Sequence, residues 1–254
     1  MPVIVVANQK GGVAKSTTAA NIAWSLAQDH GARVCLVDFD AQGSLTEMLL
    51  ADPPPATMAD LLGGTPWQEV ALEVRPGLTL LPASEELAEL AIALGRESDG
   101  ALALRRVLQP LQRRFDFVLV DTPPSLGTLT VNALCAGNAV LVPVACSTIA
   151  VAGLAQLLDT VEAARADAPE PTLLGILPVL FDARTLHHRE VAAGLRREFG
   201  ELVFPQPIPR TVRFEDANVV HQPLVAMVPA HPGAAAYRAA AAEVRQRSRT
   251  RRGS

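Results

Sequence analysis

The sequence predicts a doubly wound α/β domain, a mostly parallel sheet with helices on both faces. Three observations predict it. Short β-branched runs alternate along the chain with longer segments of helical period. The runs are almost continuously apolar, as strands buried on both faces require. The 254 residues are 49% hydrophobic, which is ample material for one core.

The elements follow in order. Val3-Ile4-Val5-Val6 is the first strand, and Ser16 to Gln28 the first helix, closed near Gly31. Arg33 to Asp38 is the second strand, Leu78 to Pro82 a weaker one, and Glu85 to Leu94 and Ala101 to Arg114 are helices. Phe117 to Val120 and Ala139 to Val144 are further strands, with a helix between them after Gly127. A helix over Ile149 to Ala166, a strand over Leu173 to Leu180 and an amphipathic helix over Leu186 to Phe199 come next. The last helix spans about Gly233 to Gln246, so residues 1–246 are expected to form one domain. Residues 247–254 continue a basic, polar tail that begins at Arg245 and is expected to be disordered. Asp52-Pro53-Pro54-Pro55 marks a surface loop, since strands resume after it.

Composition excludes several classes. A formal net charge of −4 gives no global signal for nucleic acid, so any polyanion contact must be local. Cys35, Cys135 and Cys146 are odd in number, lack C-x-x-C spacing and sit among apolar neighbours, as buried thiols in a reducing compartment do. The first apolar run is too short for a signal peptide. No charge occurs between Asp121 and Asp159, yet Pro123, Pro124, Gly127, Gly137 and Pro143 interrupt that stretch before a membrane span can form. A soluble, cytoplasmic protein is expected.

Asn8-Gln9-Lys10-Gly11-Gly12-Val13-Ala14-Lys15-Ser16-Thr17 follows the first strand and opens the first helix. There, backbone N–H groups and a helix N-terminus converge on a polyanion. Lys15 is placed to reach β- and γ-phosphates, and the Ser16 hydroxyl to ligate Mg²⁺. The match to G-x-x-x-x-G-K-[ST] is incomplete: Gln9 and Ala14 stand where its glycines fall. A glycine-rich turn without nucleotide is the alternative. Against it, only Lys10 and Lys15 of the 22 basic residues are lysines. Two compact ammonium groups confined to one loop suggest chemistry that a planar guanidinium cannot supply.

Lys10-Gly11-Gly12-Val13-Ala14-Lys15-Ser16-Thr17 resembles the deviant Walker A box of the ParA/MinD family of ATPases. Val37-Asp38-Phe39-Asp40-Ala41-Gln42-Gly43 resembles its D-x-D-P-Q-G switch, and Val120-Asp121-Thr122-Pro123-Pro124-Ser125 its Walker B strand end. Ile208-Pro209-Arg210-Thr211-Val212-Arg213 resembles its adenine-contacting loop. The resemblance implies a P-loop fold, Mg²⁺ and ATP as cofactors, and ATP hydrolysis. It gives Lys10 a role in trans across a nucleotide-sandwich homodimer and Asp40 the orienting of the attacking water. Asp38 would lie near the metal, Asp121 in its outer shell, and Pro209 and Thr211 against the base. Without the resemblance, Asp38, Asp40 and Asp121 are open to reading as strand-end or cap acids. Ala14 and Ala41 depart from the family pattern, and Ser147 to Leu154 lacks its usual acid and aromatics, which bears on turnover and partner-stimulated switching.

Within that family, ParA-type members bind DNA nonspecifically as ATP dimers on the nucleoid. They position plasmids, chromosome origins or carboxysomes, with a ParB-like or other cargo adaptor stimulating hydrolysis. MinD-type members bind membrane through a C-terminal amphipathic helix. The alanine-rich final helix and arginine-rich tail here offer no apolar face, so no membrane insertion is expected. Phe181-Asp182-Ala183-Arg184-Thr185 resembles the segment carrying one DNA-contacting arginine, Arg184, and Arg213 matches a second. Solvated helix-end or salt-bridge arginines are the alternative for both. A metabolic phosphate-loop enzyme, such as a biotin- or cobalamin-pathway ligase, is the reading from another class.

Overall fold

A computed structural model of the chain describes residues 1–164 and 171–250. The strands are β1 (Val3–Val6), β2 (Val34–Asp38), β3 (Leu72–Arg75), β4 (Leu78–Leu81), β5 (Phe117–Asp121), β6 (Ala139–Ala145) and β7 (Thr172–Val179). The first six helices are α1 (Lys15–Gln28), α2 (Ser44–Leu49), α3 (Met58–Leu62), α4 (Trp67–Val70), α5 (Glu86–Leu94) and α6 (Ala103–Leu108). After them come α7 (Thr128–Ala136), α8 (Thr148–Ala164), α9 (Leu186–Phe199), α10 (Arg213–Val219), α11 (Leu224–Met227) and α12 (Pro232–Thr250).

The seven strands form one sheet in the order β3-β4-β2-β5-β1-β6-β7. Every pairing is parallel except β3 with β4, an antiparallel edge. Strand alternation splits the core in two. Ile4, Val6, Leu36, Leu119 and Leu141 face α1, α2, α11 and α12, while Val5, Val37, Val120 and Val142 face α3 and α5 to α9. Burial on both faces is why the strands read as apolar runs rather than alternating ones. Asp38 and Asp121 lie opposite each other at the carboxyl ends of β2 and β5, beside the loop after β1. In an open α/β sheet that end is where ligands bind.

Several local expectations need correction. The segment 101–114 is not one helix: α6 covers only Ala103–Leu108, with 3₁₀ turns at Gly100–Leu102 and Gln109–Arg113 around it. Pro110 lacks the N–H that would continue an α-ladder. The tail is not disordered from residue 247, because α12 runs on to Thr250. Arg247 holds it there. Its guanidinium donates to the carbonyls of Leu174, Glu201 and Leu202, pairs with Glu243 and lies 4.4 Å above the Phe204 ring. Gly175 makes room for it, since a Cβ there would collide with the guanidinium. Residues 251–254 lie outside the described residues. All three cysteines are buried thiols, and no described helix is long and apolar enough to cross a membrane.

Candidate active site

The loop between β1 and α1 is fastened from below. Asn8 Nδ2 donates to the carbonyl of Pro143 at 2.7 Å, and Asn8 Oδ1 accepts from the Lys10 N–H at 2.9 Å. Gly12 has φ 71° and Ala14 φ 56°, both left-handed, so the chain turns twice before α1 begins. The two positions differ in cost, since only the glycine adopts that conformation freely. Ala14 is the N-cap, contributes no side-chain cap, and no acid occupies the first turn. The Thr18 N–H is satisfied by the Ala14 carbonyl. The N–H groups before it in the first turn remain as donors at the positive end of the helix dipole.

This loop forms one wall of a cavity of about 790 Å³. Gly11, Gly12, Ala14, Lys15, Ser16 and Thr17 line that wall, with Asp40 and Gln42 beside it. Val13 is buried and does not line the cavity. The far walls are the end of α2 and the residues after it, through Glu47, Met48, Leu50 and Ala51, and the end of α10 and the turn after it, through Asn218, Val219 and His221.

Lys15 is 8% exposed. Desolvation lowers its pKa, against the opposing pull of Asp121 and Asp40. Asp121 is fully buried, and neither of its carboxylate oxygens has a hydrogen-bond partner of good geometry among the described residues. Desolvation and the nearby Asp38 raise its pKa well above the carboxylate range, while Ser16 and Lys15 face it and offset part of the rise. Asp38 is also fully buried but is engaged. Its Oδ2 accepts from the Thr46 N–H and hydroxyl at 2.8 and 2.7 Å, and its Oδ1 from the Asp40 N–H at 3.2 Å. Burial pushes it to about 6 despite those donors. Asp38 therefore anchors the switch segment to the start of α2. Asp40 Oδ1 accepts from the Gln42 N–H in a tight turn that closes at Gly43, φ 64°.

Three buried acids beside a row of phosphate-ready N–H groups would repel a polyanion. A divalent cation reconciles them. Mg²⁺ keeps most of its waters and needs one or two carboxylates plus phosphate oxygens, not a protein cage. The pairing of the Asp121 carboxylate with the neighbouring Ser16 hydroxyl fits that demand. Asp121 offers two unpaired oxygens, and Ser16 a hydroxyl beside it.

Lys10 is exposed on the outer lip and makes no side-chain hydrogen bond or ion pair among the described residues. Pro209 and Thr211 are not part of the cavity lining. Their loop hangs from the end of β7, where Phe181 bridges to Pro209. Arg184 lies in the turn between β7 and α9, and Arg213 opens α10 beyond the loop that carries Pro209. Arg184 is 91% exposed and forks onto Asp182, which it holds well below the usual carboxylate range. Arg213 pairs with Asp216 at 3.0 Å. Sequence reasoning missed Asn8, Thr46, Asn218, Val219 and His221. Asn8, next to the strand end, carried a faint signal as a loop anchor; the rest occupy no motif.

Comparison with known proteins adds the following. Residues 1–172 match the AAA domain family AAA_31. The chain is 43% identical to the chromosome-partitioning ATPase Soj of Thermus thermophilus, over 96% of this chain and 95% of that protein. It is 37% identical to the chromosome partitioning protein ParA of Caulobacter vibrioides, over 98% and 96%. Among solved structures it is similar to cobyrinic acid a,c-diamide synthase from Mycobacterium smegmatis with bound ADP and magnesium. That likeness has a TM-score of 0.81 at 40% identity and covers 95% of this chain and 93% of the other.

Proposed function

The chain belongs to the ParA/MinD family of deviant Walker A ATPases, and from that premise we propose that it is a partition ATPase that binds and hydrolyses Mg-ATP. In this reading it forms a homodimer with ATP, binds nonspecific DNA in that state, and positions or segregates a cargo on the nucleoid of the cytoplasm. A ParB-like or other adaptor stimulates hydrolysis, and the cargo is a plasmid, a chromosome origin or a carboxysome.

One observation carries the nucleotide reading. A fully buried Asp121 with two unpaired oxygens faces Ser16 and Lys15 under an uncapped helix N-terminus. A buried, unpaired carboxylate costs a few kcal/mol and persists where it has a use.

The roles follow from placement. Lys15 and the N–H groups of α1 bind the β- and γ-phosphates. Ser16 would ligate Mg²⁺ and Asp121 beside it would act in the outer shell, while Asp38, near the metal, fixes Thr46 and the switch. When bound there, Mg²⁺ would supply charge neutralisation for phosphoryl transfer. Asp40, 8% exposed and lining the same cavity, orients the attacking water. Lys10, free on the lip, reaches the nucleotide of a second copy, which makes hydrolysis depend on dimerisation. Pro209 and Thr211, on the loop that Phe181 bridges, flank the base in this reading.

The membrane alternative is disfavoured by α12. Its apolar residues Ala234, Ala236, Tyr237, Ala240, Ala241 and Val244 are already buried in the core against α1, leaving no face for lipid. The metabolic alternative has the synthase likeness in its favour. ATP consumption that requires cobyrinic acid and an ammonia donor would establish it. For the partition reading, Lys15→Ala should abolish ATP binding, while Asp40→Ala should bind ATP and hydrolyse it at least tenfold more slowly. Parent-rate turnover by Asp40→Ala would remove Asp40 from the mechanism.

A further inference from the structure

The four arginines of α12 divide into two pairs. Arg238 is engaged by Asp29 and the carbonyls of Val225 and Pro229, and Arg247 by Glu243 and three carbonyls. Arg245 and Arg249 make no side-chain hydrogen bond or ion pair among the described residues. Spaced four apart, they share one face of the helix, where like charges repel. That face closes a second cavity, of about 290 Å³, at the amino-terminal ends of β1 and β5, where Pro2 and Phe117 line it. The nucleotide cavity lies at the other end of these strands, a strand length of about 15 Å away. His30 reaches the second cavity from the turn after α1, and its ring too has no partner among the described residues. Asp116, the acid on this lining, is already held by Arg33, through its N–H at 2.9 Å, its Nε at 3.3 Å and its Nη2 at 3.0 Å. Ser248 completes the lining. It is 6% exposed, and its hydroxyl is buried with no hydrogen-bond partner among the described residues. The carbonyl end of α12 would by itself favour arginines in the last turn, but it gives no reason for an unsatisfied hydroxyl on the same face. An anion satisfies all four groups together. Two guanidiniums, an imidazole and a hydroxyl are more donors than one carboxylate accommodates, whereas a phosphate has three terminal oxygens and matches the arginine fork.

We propose that His30, Arg245, Ser248 and Arg249 form a site for a small phosphate monoester, separate from the nucleotide cavity. Arg245 and Arg249 donate to its oxygens, the Ser248 hydroxyl donates to one of them, and His30 donates through a ring N–H. The cavity volume is near the lower bound for sites that hold small organic molecules, about 300 Å³, so the phosphate carries a small organic group. Such a ligand ties the end of α1 to the end of α12, two helices that already pack together and share the Arg238–Asp29 pair. No residue of this site belongs to the nucleotide reading, so the two stand or fall separately.

The test titrates glycerol 3-phosphate into the full chain held in Mg-ADP, with sodium chloride keeping the ionic strength constant. The readout is the ring-proton NMR signal of His30, assigned by its loss in His30→Gln. The signal should shift saturably, with half saturation at about 1 mM or tighter. Arg245→Gln, Arg249→Gln and Ser248→Ala should each weaken that binding by about tenfold. Ser248→Ala also removes an unsatisfied hydroxyl, so its Tm without ligand should equal or exceed that of the parent, which shows that the variant folds. Lys15→Ala, tested without nucleotide, should keep the shift, because the phosphate loop lies at the other end of the sheet. An equal shift with sodium chloride alone, or loss of the shift in Lys15→Ala, would overturn the proposal. Parent affinity in all three site variants would also overturn it and leave Arg245 and Arg249 as complements to the helix dipole. A His30 signal that responds to a DNA duplex but not to glycerol 3-phosphate would overturn it in favour of DNA on this face.

Discussion

Replacing Ala14 by glycine should stabilise the ligand-free protein, although it lies in the phosphate loop. Ala14 holds φ 56° and ψ 37° as the N-cap of α1. A Cβ in that conformation costs about 1–2 kcal/mol, and glycine returns about 0.5–1 kcal/mol of this through the freedom it adds to the unfolded chain. The net gain is about 0.5–1 kcal/mol, or about 1–4 °C in Tm for a chain of this length. Gly12→Ala is the control with opposite sign. Gly12 has φ 71° and open space within 4 Å of an added Cβ, so its cost of about 1 kcal/mol would be backbone strain alone. Thermal unfolding followed by circular dichroism, without nucleotide, reads both. A lower Tm for Ala14→Gly, or an unmoved Tm for Gly12→Ala, would show that the loop is not held in the left-handed conformation at these positions.

Lys10→Ala should leave ADP binding by the monomer intact while weakening the ATP dimer and its hydrolysis, and Lys10→Arg should also be impaired; sedimentation with ATP and with ADP, paired with phosphate release, checks both. Arg184→Ala and Arg213→Ala should each weaken binding to two unrelated duplexes alike and lower the salt slope, with the ATP dimer preserved; binding equal in ATP and ADP would refute a nucleotide-gated DNA contact. Asp38, raised to about 6, and Asp121, raised well above its ordinary value, bind protons in the folded state that the unfolded chain has released. Stability of the ligand-free protein should therefore fall as pH rises from about 4 to 6, with Asp38 contributing about 3 kcal/mol at most. Urea unfolding across that range should show a smaller fall for Asp38→Asn; identical slopes would place the effect elsewhere.

The parallel strands and the helices between them were legible because burial on both faces leaves a dense apolar signature. The phosphate loop and Asp38, Asp40 and Asp121 were legible because they lie within one or two residues of strand ends. What escaped was short or nonlocal. α2, α3, α4, α10 and α11 run four to seven residues, too few for a helical period to register. β3 alternates half-buried and exposed residues at an edge, so its apolar content is low. The Arg247 clasp depends on carbonyls of Leu174, Glu201 and Leu202, groups that sequence does not distinguish. His221 acquires its place from a turn geometry and a carbonyl 174 residues away.

The same short helix links the two proposed activities. α10 begins at Arg213 and ends at Val219, with Asn218 and Val219 on the cavity wall and Arg213 at the other end. Seven helical residues span about 10 Å, so Arg213 and the cavity wall lie about that far apart along one helix. Phe214 packs edge-on against Tyr237, whose hydroxyl lies 3.0 Å from Thr18, one turn into α1 from the phosphate loop. Asn21 ties the same helix to α11, accepting from the Val225 N–H while donating to the Thr17 carbonyl. A nucleotide that presses on the wall at Val219, or draws in the first turn of α1, therefore acts on the element that carries Arg213. The ion pairs of Arg184 and Arg213 do not oppose a DNA role. Exposed pairs of this kind contribute little, and a phosphate competes for the same guanidinium. Under this reading, the carboxylates of Asp182 and Asp216 hold the two arginines in place until a stronger anion arrives.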